Sequence, residues 1–203
     1  ALWSGCMAFL NQCYSTCGLD VVPAMNIAST LNNLASVAFL SMGNAVGIIM
    51  GQMLGARRPD GELMDNSRKL TALAAFSGGV LVAIVLSLSG VFPLLYNTSD
   101  PVRRLATQTI TIAAVLMPLQ AYSFPVYFTL RAGGKTVMTT LFDCGTIWFL
   151  YLPISFVLSR LTELPFLTIF AICNSTDLIK CVVGTILVRG GSWIQHLAAP
   201  SKQ

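Results

Sequence analysis

Residues 21–56 read VVPAMNIASTLNNLASVAFLSMGNAVGIIMGQMLGA, 36 consecutive positions without an Asp, Glu, Lys or Arg. A helix that spans a bilayer needs about 20 mainly apolar residues, so this run is long enough and more. It is not alone: residues 1–19, 70–99 and 105–130 are equally free of charge. Over all 203 residues, 55% are hydrophobic and 10% charged, with a mean hydropathy of +0.72. A water-facing domain carries about 25% charged residues. That deficit excludes a soluble enzyme, a secreted disulfide scaffold and a disordered tail. The net charge of +4 is no nucleic-acid signal, because most basic residues lie between apolar runs. The expected surroundings are a lipid bilayer, with no nucleic-acid partner.

The runs are continuous rather than alternating, and lipid forces each segment to satisfy its own backbone groups, so helices are expected. Six spans are predicted at about 1–18, 22–54, 68–96, 102–130, 137–159 and 164–188, followed by a tail over 189–203. The first lacks polar residues on its N-terminal side and is expected to be cut short. The second, at 1.5 Å per residue, is about 50 Å long against a hydrocarbon core of about 30 Å, so it must tilt, bend or emerge. The fold class is an all-α integral membrane bundle of six transmembrane helices.

Basic residues set the orientation. Arg57, Arg58, Arg68, Lys69, Arg131, Lys135, Arg189 and Lys202 share one set of loops, whereas Arg103, Arg104 and Arg160 occupy the other. The positive-inside bias places the first set, and the C-terminus, in the cytoplasm. The expected location is the inner cell membrane, crossed several times.

The second span has unlike faces. At 100° per residue, Asn26, Ser29, Thr30, Asn33, Ser36, Asn44, Gly47 and Gly51 fall on one side. Ile27, Leu31, Leu34, Ala38, Met42, Ala45, Ile49 and Met53 fall opposite, where they are expected to meet lipid. Polar residues inside a bilayer turn toward other helices or a water-filled cavity, which makes Asn26, Thr30, Asn33 and Asn44 candidate cavity lining. Gly43, Gly47, Gly51 and Gly55 repeat every four residues, a pattern that lets a neighbouring backbone approach and marks helix packing.

Charges within spans are costly. Asp177 and Lys180 lie near the middle of the last span at i,i+3, close enough to neutralise one another or to respond to a proton or cation. Asp143 lies near the cytoplasmic end of the fifth span, within reach of Lys135 or Arg131. The fourth span carries Pro118 and Pro125, which remove backbone hydrogen bonds and favour kinks. Gln120, Ser123 and Tyr127 share a face around them and are further candidates for the cavity, since transporters place sites at bent helices.

Other chemistry is weakly supported. The six cysteines form no Cys-x-x-Cys and have one histidine, His196, to join them, so no metal site is expected. Gly134-Lys135-Thr136 lacks the first glycine and the strand context of a phosphate-binding loop. No nucleophile or acid–base set can be assembled around one histidine, which argues against an enzyme.

Gly51-Gln52-Met53-Leu54-Gly55-Ala56 resembles the Gly-Gln-x-x-Gly-Ala signature of the multidrug and toxic compound extrusion (MATE) family. Leu130-Arg131-Ala132-Gly133-Gly134-Lys135-Thr136 is similar to that family's Leu-Arg-x-x-Gly-Asp-Thr loop, with Lys135 in place of Asp. Asp143, Trp148 and Pro153 resemble the helix after that loop, and Asn174, Asp177 and Lys180 the last helix of bacterial members. The resemblance maps to the second, C-terminal lobe of a twelve-helix transporter. It implies an antiporter that exports small organic, often cationic, compounds in exchange for Na⁺ or H⁺, with the first, second and fourth helices of this lobe facing a central cavity. It implies an N-terminal lobe, or a second copy, as partner. No cofactor is implied beyond the coupling ion. The carboxylates that some members carry in the seventh and tenth helices have no counterpart here, so the ion site is expected to be incomplete in this chain.

Two other readings remain open from the residues. One is a lipid-linked oligosaccharide flippase or polysaccharide exporter of the same architecture. The other is a half-size membrane protein that works as a dimer. A channel should show charge rings or a repeated filter sequence, and neither is present.

Overall fold

The computed structural model describes residues 2–15, 18–134, 139, 145–161, 164–191 and 193–194. The described residues form helices and short turns. Helix α1 covers Leu2–Ser15, α2 Val21–Gly55, α3 Asp60–Leu88 and α4 Asp100–Ala132. A short 3₁₀ turn, Phe92–Leu95, lies between α3 and α4. A π-helical turn, Ile147–Tyr151, runs into α5, Leu152–Leu161. Helices α6, Phe166–Ser175, and α7, Asp177–Arg189, form one 24-residue segment interrupted at Thr176. Six helical segments result, and four of them are long and apolar enough to cross a membrane: α2, α3, α4 and the α6–α7 segment. This is a multi-pass membrane bundle.

The span limits follow the sequence where charge marks them. Helix α2 begins after Asp20 and ends before Arg57. Helix α3 departs from expectation by starting eight residues early, at Asp60. Its first turns lie in polar sequence and are held by acidic residues at the N-terminus and by i,i+4 ion pairs, Arg58–Glu62 at 3.7 Å and Lys69–Asp65 at 2.6 Å. The early start gives α3 an extension beyond its apolar length.

Helix α4 is the axis of the bundle and packs along α2, α3 and α7. On α2, Ala28, Leu31, Ala35 and Phe39 meet Ile110, Ala114, Met117 and Ala121 of α4. Lipid is as apolar as leucine, so such contacts hold helices together by close packing rather than by escape from water. Two small-residue positions make that packing possible. A Cβ on Gly43 would lie 2.6 Å from Cδ2 of Phe128, and one on Gly78 of α3 would collide with Ala121. A second cluster joins α1, the 145–161 segment and α6 through Leu10, Tyr14, Ile147, Phe166 and Ile169. Tyr14 meets the Phe166 ring edge-on, with centroids 5.5 Å apart.

The end of the bundle bearing Arg57 and Arg189 is closed by Trp193. Its side chain is fully buried among Met50, Leu54, Leu63, Leu130 and Val188, and its indole N–H donates to the Val188 carbonyl at 2.9 Å. Trp193 lies in the segment read as the tail over 189–203. After α7 the chain turns back at Gly191, whose φ of +65° suits glycine, and seats Trp193 against the α4 end. Burying an indole in an apolar hollow removes a large apolar area from water, and its N–H keeps a hydrogen-bond partner there.

Candidate functional site

Helix α2 presents three faces, not two. Ile27, Leu31, Ala35, Phe39, Val46 and Met50 are buried, while Asn26, Thr30, Asn33 and Asn44 are exposed on the outside of the bundle. The expectation that Ile27 and Leu31 meet lipid is corrected: both pack inside, whereas Leu34, Ala45 and Ile49 of that set remain exposed. Steps of four residues advance 400°, so the buried stripe drifts around the helix and crosses a face that a fixed 100° plot treats as uniform. The outward polar face also carries Val37 and Ile48, each 62% exposed.

The hydroxyls on this face are internally satisfied. Ser29 Oγ and Thr30 Oγ1 both donate to the Asn26 carbonyl, at 3.0 and 2.9 Å, and Ser36 Oγ donates to the Asn32 carbonyl at 2.8 Å. Bonding back to the preceding turn lowers the cost of a hydroxyl in an apolar setting.

The glycine ladder splits in two. Gly43 and Gly47 meet Phe128, whereas a Cβ on Gly51 or Gly55 would meet nothing within 4 Å. Gly55 instead belongs to the end of α2. There Arg58 N–H donates to the Met53 carbonyl at 3.2 Å and Arg57 N–H to Leu54 at 3.1 Å, with Arg57 at φ +51°. That pattern is a Schellman ending, which usually takes glycine at the left-handed position.

Helix α4 runs unbroken through Pro118 and Pro125. Gln120 and Tyr127 are half-buried on it, and Tyr127 stands edge-on to Phe128 with centroids 5.4 Å apart. Ser123, half-buried like them, donates to the Leu119 carbonyl at 2.8 Å and lies 3.2 Å from Cys181 Sγ of α7. Beside it, Tyr122 Oη and Thr185 Oγ1 are hydrogen-bonded at 2.8 Å, and Cys181 Sγ donates to the Leu119 carbonyl at 3.3 Å. Sequence reading missed this α4–α7 seam. Its one available signal was the i,i+4 pair Cys181 and Thr185 on a helix that must pack somewhere.

Asp177 and Lys180 form an ion pair, Oδ1 to Nζ 3.3 Å, with side chains 15% and 17% exposed. Asp177 opens α7 directly after the Thr176 interruption, where the positive helix end favours a carboxylate. Lys180 borders a crevice of about 270 Å³ between the π-helical segment and α7, with Thr146, Phe149 and Val183. Asn174 turns away, donating to the Phe170 carbonyl at 2.8 Å. Asp143 and Lys135 lie outside the described residues. Among the described residues, no three His, Cys, Asp or Glu side chains gather as a metal site would require.

A second crevice, about 110 Å³, separates α1 from α2 and is lined by Asn11, Tyr14, Val22, Met25 and Asn26. Asn11 was not among the sequence candidates.

The sequence profile of the MatE family matches residues 1–157. The chain belongs to the MatE family. The match takes in α1 to α4 and most of α5, so the α2 face and the α1–α2 crevice lie inside it, while Asp177 and Lys180 lie beyond it. The chain is 26% identical over 160 residues to the "Probable multidrug resistance protein YoeA" of Bacillus subtilis (strain 168). That alignment covers 75% of this chain and 33% of the relative, so the chain spans about a third of the length of the curated MatE-type relative it matches. No solved structure matches it. The family-like glycines now have physical roles. Gly133 lies where a Cβ would strike the Trp193 carbonyl, and Gly134 takes φ +82° to leave α4.

Proposed function

We propose that this MatE-family chain forms one lobe of a secondary antiporter in the cell membrane that exports small organic compounds, often cationic, in exchange for Na⁺ or H⁺. The observation that carries the reading is the outward face of α2. Asn26, Thr30, Asn33 and Asn44 sit on a membrane-spanning helix and are not used by the packing of this bundle. Polar groups at that depth need a partner helix or water. A cavity closed by a second lobe, or by a second copy, supplies both. Val37 and Ile48 on the same face add apolar area, the mixture an amphipathic drug-like molecule needs. The relative's description as a multidrug resistance protein supports the same reading.

Gln120 and Tyr127 extend the cavity wall along α4. The Asp177–Lys180 pair is the candidate for coupling in this chain, since a cation or proton that reaches Asp177 releases Lys180. The end that gathers Arg57, Arg58, Arg131 and Arg189 faces the cytoplasm. Arg103, on the opposite side, donates to Asp100 at 3.3 Å and to the Tyr96 carbonyl at 3.2 Å.

The test is export of a fluorescent aromatic cation by the native gene product in cells without other efflux pumps. Export should stop when the Na⁺ or the H⁺ gradient is collapsed, and Asn33→Leu with Asn44→Leu should reduce it severalfold. Export that ignores both gradients would overturn antiport.

A further inference from the structure

The crevice between the last turns of α1 and the first turns of α2 is chemically one-sided. Asn11 and Asn26 bring one carboxamide from each helix, and Tyr14, Val22 and Met25 supply the walls. Beside Asn26 the protons of Ser29 and Thr30 are committed, since both donate to its backbone carbonyl, and the Tyr14 hydroxyl is buried. A hydroxyl whose proton is spent can only accept. A carboxamide can turn either end outward, so Asn11 and Asn26 can each present an oxygen to the crevice. Among the described residues no carboxylate lines it; Asp20, exposed at the start of α2, is the nearest one along the chain. The fields of the two helix ends also oppose one another here, the negative end of α1 meeting the positive end of α2. What the crevice offers a ligand is two carboxamides, each with an oxygen able to accept, in a space for a small head group.

We propose that this crevice is a subsite for the N–H-bearing head group of an exported compound, a primary or secondary amine. Asn11 and Asn26 together separate that amine from its quaternary, fully methylated analogue. The proposal rests on the export reading above and adds the group that is read and the residues that read it. Both members of such a pair carry one positive charge, so Asp20 attracts them alike. They differ in donors: the protonated amine offers two or three N–H groups, and the quaternary nitrogen offers none. A site built to bond a donor leaves its acceptors unpaired around an analogue that lacks one, and discriminates accordingly.

The experiment uses the native gene product and a matched pair, an arylalkyl primary amine and its N,N,N-trimethyl derivative. Affinity is measured by competition on monodisperse, detergent-solubilised protein, and export in cells. The native protein should favour the primary amine by about tenfold or more, the effect of one charge-assisted hydrogen bond. In Asn11→Leu and in Asn26→Leu the affinity ratio should fall to about one, whereas Asn11→Thr, which keeps an acceptor oxygen, should retain part of it. Equal affinities in the native protein, or a ratio unchanged in both leucine variants, overturn the subsite. A preserved binding ratio without export of either compound overturns the export reading and leaves the subsite standing.

Discussion

The carbonyl of Trp193 lies against the α-carbon of Gly133, so close that a side chain at position 133 would collide with the backbone. The two residues are 60 positions apart and join the end of α4 to the segment after α7. The indole is fully buried at that junction. The clasp ties together the ends of α2, α3, α4 and α7 through Met50, Leu63, Leu130 and Val188.

Removing the indole should therefore be costly. Trp193→Ala is expected to lower stability by about 3–5 kcal/mol, the usual range for a large aromatic lost from a packed site. Gly133→Ala should act in the same direction, because the opposing atom is backbone and cannot swing aside. Thermal unfolding in detergent checks both. A Trp193→Ala protein as stable as the parent would mean that the clasp contributes nothing.

The glycines of α2 should divide into two classes. Gly43→Ala places a methyl against the Phe128 ring and the Cβ of Phe124, and should cost about 1–3 kcal/mol through overpacking. Gly51→Ala has open space within this bundle and should be neutral, or gain up to about 1 kcal/mol from helix propensity. Equal losses at the two positions would show that a surface outside this bundle packs on Gly51.

The Asp177–Lys180 pair should follow the logic of buried charges. Lys180→Met alone strands a shielded carboxylate and should cost about 3 kcal/mol or more, whereas Asp177→Asn with Lys180→Met should recover most of it. If the pair couples export to an ion, the double variant is stable yet exports without responding to the gradient. A double variant with normal gradient-driven export would remove the pair from the mechanism.

The α4–α7 seam should show modest, separable contributions. Tyr122→Phe removes one hydroxyl–hydroxyl bond to Thr185 and should cost about 0.6–1.7 kcal/mol, as inter-helix hydrogen bonds in membranes do. A double-mutant cycle with Thr185→Val measures the coupling directly. Zero coupling would mean that the two hydroxyls do not bond one another in the membrane.

Long charge-free runs placed the helices, because lipid penalises each unpaired backbone group and each charge at its own position. The limits of α2 and α4 fall within two residues of expectation for that reason. The outward polar face of α2 was legible too, since its asparagines recur at helical spacing. Partners across helices were not. Ser123 shares a face with Gln120 and Tyr127, and no spacing within α4 showed that Cys181 of α7 would lie 3.2 Å from its hydroxyl. Asn11 gains its role from a neighbour fifteen residues away, and Trp193 from a hollow built by four other helices.

By itself, the sequence determined that this is a helical membrane bundle of six segments with one polar face and an i,i+3 charge pair in its last span. Those features depend on local quantities, the hydropathy of a segment and the 100° step of a helix. The tertiary structure alone decided which side of α2 is buried, which glycines are touched, which hydroxyls are spent and where the chain folds back to close one end. Close packing between helices depends on atoms brought together from distant positions, and no spacing within one helix encodes what will lie opposite.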